Sequence, residues 1–121
     1  MLKPNFLLTN KMPITIYREG QGYYDKGRWV DGKVEEICIF VNIQPYTMSK
    51  LMQLPDSERT KDWYTVFSAD EIRDKREGLD GWGADKFKWN GNEYLVTRVK
   101  HYSMGILNHY EAQAVRIERT T

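Results

Sequence analysis

The chain has 121 residues, 18 Lys and Arg against 17 Asp and Glu, and a formal net charge of +1. That length fits one domain spanning residues 1–121, and 40% hydrophobic with 13% aromatic content excludes a disordered composition. The balanced charge excludes a protein whose main work is neutralising phosphates along nucleic acid, though not a local basic patch, and the lone Cys38 excludes an intrachain disulfide or a cysteine metal cluster.

The opening run Met1–Leu8 is apolar but broken by Pro4. It is too short for the apolar region of a signal peptide, so residues 1–12 read as an N-terminal arm. No window approaches the roughly 18 apolar residues of a membrane span. The expectation is a product made in the cytosol, with no membrane partner.

Pro13–Arg18 alternates with β-branched residues and reads as a first strand, with Pro13 at its start, where no ladder donor is needed. Glu19–Lys33 holds Gly20, Gly22, Gly27 and Gly32 around Tyr23, Tyr24 and Trp29. It reads as a long loop, or a loose hairpin turning at Val30-Asp31-Gly32-Lys33. Val34–Gln44 is the strongest strand: Ile37, Ile39, Val41 and Ile43 share one face, and Glu36, Cys38, Phe40 and Asn42 the other. Pro45 ends it. Thr47–Leu54 reads as a short helix capped by Thr47, with Met48, Leu51 and Met52 at helical spacing.

Trp63–Ser68 is the next strand, and Ala69–Asp80 is a charged connection followed by Gly81-Trp82-Gly83. Asn90-Gly91 is the preferred centre of a two-residue type I′ turn, because both positions need positive φ. With that turn, Trp89 faces Asn92, Lys88 faces Glu93 and Phe87 faces Tyr94, so a charge pair and an aromatic pair fall in register. Tyr94–Lys100 continues the strand, Ser103–Asn108 turns around Gly105, and Tyr110–Arg119 closes the chain. The fold class that follows is mainly β: a small antiparallel barrel or sandwich of about six strands, one short helix and long loops.

Chemistry-bearing groups do not assemble into a site. His101 and His109 lack further ligands at metal spacing and read as polar residues flanking a turn. Cys38 sits in an apolar run that suits a packed thiol better than an activated nucleophile. The carboxylates lie among Lys and Arg as a solvated charged face. Gly20-Gln21-Gly22 lacks the third glycine of a nucleotide loop, and Asp80–Asp85 lacks calcium-loop spacing. No catalytic, metal or cofactor residues are assigned and no cofactor is expected.

What remains is surface. Tyr23, Tyr24, Lys26, Arg28 and Trp29 form an aromatic and basic loop that suits either docking on a neighbouring subunit or stacking single-stranded bases. Met48, Leu51 and Met52 offer either a contact patch or plain core packing.

One pattern runs through most of the chain, from about residue 13 to 118. Arg28-Trp29-Val30-Asp31-Gly32 precedes a strand ending in Gln44-Pro45. Leu51-Met52-Gln53-Leu54-Pro55-Asp56-Ser57-Glu58-Arg59 follows, then Asn90-Gly91-Asn92-Glu93-Tyr94-Leu95-Val96 and Tyr110–Arg116. This order resembles the head-closure and head–tail joining proteins of tailed bacteriophages, in which Q-P, then L-x-x-L-P-x-x-x-R, then D-G-x-x-Y-x-V recur. The sequence departs in having Asn90 for the usual Asp and in Trp82-Gly83, which has no counterpart. The resemblance implies a non-enzymatic virion subunit made in the host cytoplasm. It implies a small barrel forming a ring of about six or twelve copies between portal or adaptor and tail, around a channel that double-stranded DNA traverses. The expected contact residues are Tyr23, Tyr24, Arg28, Trp29, Met48, Leu51, Met52, Arg59 and Trp82. The neighbouring readings are a tail-terminator or tail-completion ring and, in another class, a single-strand nucleic-acid binder.

Overall fold

The computed structural model describes residues 11–20, 22–78, 81–104 and 107–117, with Met104 and Leu107 by backbone alone. The strands are β1 (Met12–Glu19), β2 (Tyr23–Asp25), β3 (Arg28–Val30), β4 (Val34–Pro45), β5 (Trp63–Ser68), β6 (Lys86–Trp89), β7 (Asn92–Met104) and β8 (Leu107–Arg116). One helix, α1 (Met48–Met52), and a 3₁₀ turn at Asp56–Glu58 join β4 to β5. Six strands close into an antiparallel barrel in the order β1-β4-β5-β8-β7-β6, and β2 and β3 form a separate hairpin. Closure decides between barrel and sandwich. It rests on a short seam in which Ile16 pairs with Phe87 and Tyr17 with Lys86.

The alternation of β4 holds as far as Val41: Ile39 and Val41 are buried and Ile37 and Ile43 pack against them, while Glu36, Cys38 and Phe40 on the other face are exposed. Asn42, expected on that outer face, is buried instead. Inside, Ile14, Ile16, Val66, Phe87, Tyr94 and Val96 meet Ala112 and Ala114, which are fully buried. Small barrels need such small residues opposite large ones. Here Tyr94 stacks on Phe87 with ring centroids 5.3 Å apart and meets Tyr64 edge-on at 5.4 Å. Each such buried apolar side chain stabilises by about 1.5–3 kcal/mol.

Val96 and Val99 are three residues apart, so a regular strand would point them to opposite faces. A bulge between Val96 and Arg98 inserts Thr97, and both valines then face the core: Val96 pairs with Ala114 and Val99 with Ala112.

The Asn90-Gly91 turn forms as the sequence reads, with φ of 51° and 77° and the expected partners. Thr47 caps α1 by accepting from the Lys50 backbone N–H at 3.2 Å. Other expectations need correction. The Glu19–Lys33 segment is a hairpin turning at Lys26-Gly27, both at positive φ, not at Val30–Lys33. His101 and His109 lie within strands, because β7 and β8 run on towards each other and shorten the Ser103–Asn108 turn. Gly105 lies outside the described residues, as do residues 1–10 of the expected arm. Met12 already belongs to β1, and β8 runs to Arg116, the residues beyond 117 of the expected last strand lying outside the described ones.

The register sorts the connections by barrel end. Glu19 pairs with Val34, so the β2–β3 hairpin leaves at the start of β4. Pro45 pairs with Tyr64, so α1 leaves at its finish, on the side of the Asn90-Gly91 turn. The 69–85 connection and the β7–β8 ribbon share the hairpin's end.

Candidate interaction surfaces

At the hairpin end, the tight Lys26-Gly27 turn leaves β2 and β3 standing clear of the barrel. Tyr23, Tyr24 and Trp29 are 57%, 68% and 51% exposed, and Arg28 is exposed beside them. The hairpin is nevertheless ordered by its own contacts. Trp29 meets Tyr24 edge-on at 5.0 Å, its indole N–H donates to Asp31 Oδ1 at 2.9 Å, and the ring lies so close over Gly22 that any side chain there would collide with it.

At the other end, α1 presents Met48 and Met52, 72% and 60% exposed, with Leu51 half-buried. Met48 and Met52 are therefore not core residues. Arg59 is committed within the chain: its guanidinium donates to the carbonyls of Leu54 and Met52 at 2.9 and 3.0 Å and pairs with Asp56 at 2.8 Å. It thereby satisfies carbonyls at the C-terminal end of the short helix. This supplies a physical reason for the L-x-x-L-P-x-x-x-R spacing.

Trp82 likewise works internally. Its indole N–H donates to the Asp74 carbonyl at 2.9 Å, its backbone exchanges two hydrogen bonds with Arg76, and the Arg73 and Arg76 guanidinium groups lie 4.5 and 5.0 Å from its ring. Nearby, Asp85 is fully buried and receives Arg18 at two points, while its backbone and side chain also bond Arg73. The Asp85 hydrogen bond and charge hold the Arg18 guanidinium above its already high ordinary pKa, against the opposing pull of burial. This lock pins the charged 69–85 connection across the barrel end. The sequence offered no signal for it, because Arg18 and Asp85 stand 67 positions apart and no local pattern links them.

A groove of about 340 Å³ runs over the outer face of β5, β8 and β7 beneath α1, lined by Tyr46, Lys50, Trp63, Arg98, Lys100 and Glu111 among others. Burial, then Glu111, pushes the Tyr46 hydroxyl above its ordinary pKa, with Arg98 opposing. A second hollow of about 500 Å³ lies between the hairpin and the 69–85 connection, reaching Trp29 and Trp82.

His101 stacks on Tyr110 at 4.2 Å and His109 on Tyr102 at 4.8 Å, as cross-strand pairs of the β7–β8 ribbon. Cys38 is exposed on β4, two strands from β8 and three from β7 in the barrel order. At about 4.8 Å per strand, that separation is beyond hydrogen-bond reach, so these groups are not brought together. Among the described residues, no three His, Cys, Asp or Glu side chains converge as a metal set, and no helix is long and apolar enough to cross a membrane.

The exposed apolar residues that sequence reasoning passed over are Val34 and Phe40, 63% and 52% exposed on the outer side of β4. Their signal was legible: Phe40 falls out of phase with Ile37, Ile39 and Val41. No family model and no curated protein sequence matches this chain.

Proposed function

We propose that the chain is one subunit of a ring at the head–tail junction of a tailed bacteriophage. The ring sits between portal or adaptor and tail, and double-stranded DNA passes through it. The observation that carries this reading is the placement of two unlike exposed apolar surfaces at opposite ends of β4, the aromatic hairpin at one and the methionine helix at the other. A strand of 12 residues separates them by about 35–40 Å. A subunit stacked between two different neighbours needs a different contact surface at each end. The motif order along the chain supports the same reading, with Arg59 giving the central motif a structural purpose.

The test is native mass spectrometry and negative-stain microscopy of the protein alone and with portal complex. Rings, alone or on the portal, are the expected result. A chain that stays monomeric in both settings sinks the reading. Capping of isolated tails instead of portals would assign the ring to tail termination or completion.

A second reading has its own observation: Tyr23, Tyr24 and Trp29 stand exposed beside Lys26 and Arg28, as on a base-stacking platform. Tight, salt-sensitive binding to a single-stranded oligonucleotide, lost in Tyr24→Ala and Trp29→Ala, would favour it over the ring.

A further inference from the structure

The barrel carries a lateral charge asymmetry that the near-neutral total conceals. In the closed order β1-β4-β5-β8-β7-β6, β4 and β7 are three places apart in either direction, so they stand on opposite sides of the barrel. The register brackets their heights. Round one side, Arg98 pairs with Gln113, Gln113 with Thr65 and Thr65 with Gln44. Round the other, Leu95 pairs with Lys86, Lys86 with Tyr17 and Tyr17 with Glu36, which carries Arg98 to the start of β4. Between those limits, Arg98 and Lys100 lie across from the Glu36–Phe40 stretch.

The β4 side is acidic and apolar. Glu36, Val34 and Phe40 are exposed on its outer face, with Asp70 alongside and Glu35 exposed at the rim, against Lys33 and against Arg18, which pairs across the β1–β4 ladder with Glu35. Its outer edge is also open. β5 pairs with β4 only from Val41 onward, and the Phe40 N–H is met by the Asp70 carboxylate at 3.3 Å instead of by a strand. The β7 side is basic. Arg98 and Lys100 are exposed, Lys86 and Lys88 on β6 extend the patch, and Glu93 and Glu111 only partly offset them. Among the described residues, none of Glu35, Glu36, Arg98 and Lys100 is in a salt bridge.

We infer that the occupant of the β4 side is the β7 side of a second copy of this chain, so that subunits join head to tail through Glu35 and Glu36 on one and Arg98 and Lys100 on the next. Complementary patches on opposite sides of one subunit make a heterologous contact, which closes into a ring when the rotation per subunit permits. Like charges brought together in such a contact are strongly disfavoured. Phe40 and Val34 supply apolar area that the acidic side offers to the same neighbour. The inference rests on the ring reading and names its subunit–subunit surfaces, leaving the two barrel ends for the neighbours above and below.

The experiment uses charge reversal in the full chain. Glu35→Lys with Glu36→Lys makes both sides basic, and Arg98→Glu with Lys100→Glu makes both sides acidic. All four positions are exposed, and thermal melts establish that each variant is folded. Each variant alone is expected to lose the ring in native mass spectrometry, on its own or on the portal complex. An equimolar mixture of the two is expected to restore rings of strictly alternating composition, because each basic side then meets an acidic one. A chain carrying all four substitutions is expected to assemble alone. Rings from either variant alone, or no recovery in the mixture and in the fourfold chain, overturn the inference while leaving the ring reading intact. Failure of the unaltered chain to assemble even with portal overturns both.

Discussion

Arg18 and Asp85 meet as a two-point ion pair, with Nε–Oδ1 at 3.1 Å and Nη2–Oδ2 at 2.8 Å, although 67 residues separate them in the chain. Asp85 is 0% exposed, and its second carboxylate oxygen also accepts from the Arg73 backbone N–H at 2.8 Å. Arg18 further donates to the Glu71 carbonyl at 2.9 Å, so β1 and both ends of the 69–85 connection are held by one pair.

Removing one partner strands the other. Arg18→Met is expected to destabilise by about 3–5 kcal/mol, because it leaves the fully buried Asp85 carboxylate without a cation. The double variant Arg18→Met with Asp85→Ala should lose less than the sum of the singles. Urea denaturation of the full cycle measures this. Losses that simply add would mean the pair is not coupled.

Thr97 is the extra residue of the β7 bulge, and its hydroxyl donates to the Gln113 carbonyl at 3.2 Å. Thr97→Ala loses this exposed bond and is expected to cost about 0.5–1.5 kcal/mol at most. Deleting the residue removes the bulge and leaves Val96 and Val99 two positions apart, so a regular strand keeps both in the core opposite Ala114 and Ala112. The deletion is expected to keep a cooperative thermal transition. Loss of that transition would show that the bulge does more than absorb one extra residue in β7.

Arg59→Ala should leave the barrel nearly unchanged and loosen the α1 segment. The carbonyls of Leu54 and Met52 lose their donor, while the core contacts do not involve this residue. Limited proteolysis is expected to cut between Pro45 and Trp63 faster than in the parent, with a melting temperature lowered by only a few degrees. Unchanged cleavage would deny Arg59 its capping role.

Burial pushes the Tyr94 hydroxyl above its ordinary pKa of 10.0, and Tyr46 shifts the same way. The folded protein therefore keeps protons that the unfolded chain releases, and stability falls as pH rises wherever that difference exists. Stability from these groups is full below about pH 10 and declines as pH climbs from there through the raised folded values. Urea midpoints measured from about pH 9 upward should show the decline, shallower in Tyr94→Phe. The same slope in Tyr94→Phe and Tyr46→Phe would assign the alkaline loss to other groups.

Much of the fold was legible because its signals are local. The period-two pattern of Val34–Gln44 identified the face that became core, and Asn90-Gly91 set both a turn and the pairs flanking it. Thr47 announced the start of α1. The β2–β3 hairpin was misread in its turn because its strands are three residues each, too short for alternation to register, and Lys26 is an uncommon residue at positive φ. Helical spacing placed Met48 and Met52 together but left open whether anything covers them. The contacts of Trp82 with Arg73, Asp74 and Arg76 run through a folded loop that composition does not reveal.

The sequence by itself determined a β-rich domain, the register of its central hairpin and an inventory of aromatic and methionine surface residues. Alternation and turn chemistry depend on neighbours a few positions apart, and those are written in order along the chain. Only the tertiary structure decided that β1 meets β6, that Asp85 is buried against Arg18, and that the Glu36–Phe40 stretch lies across the barrel from Arg98 and Lys100. Those relationships join residues distant in sequence, and they exist only once closure of the barrel has fixed the angle between strands.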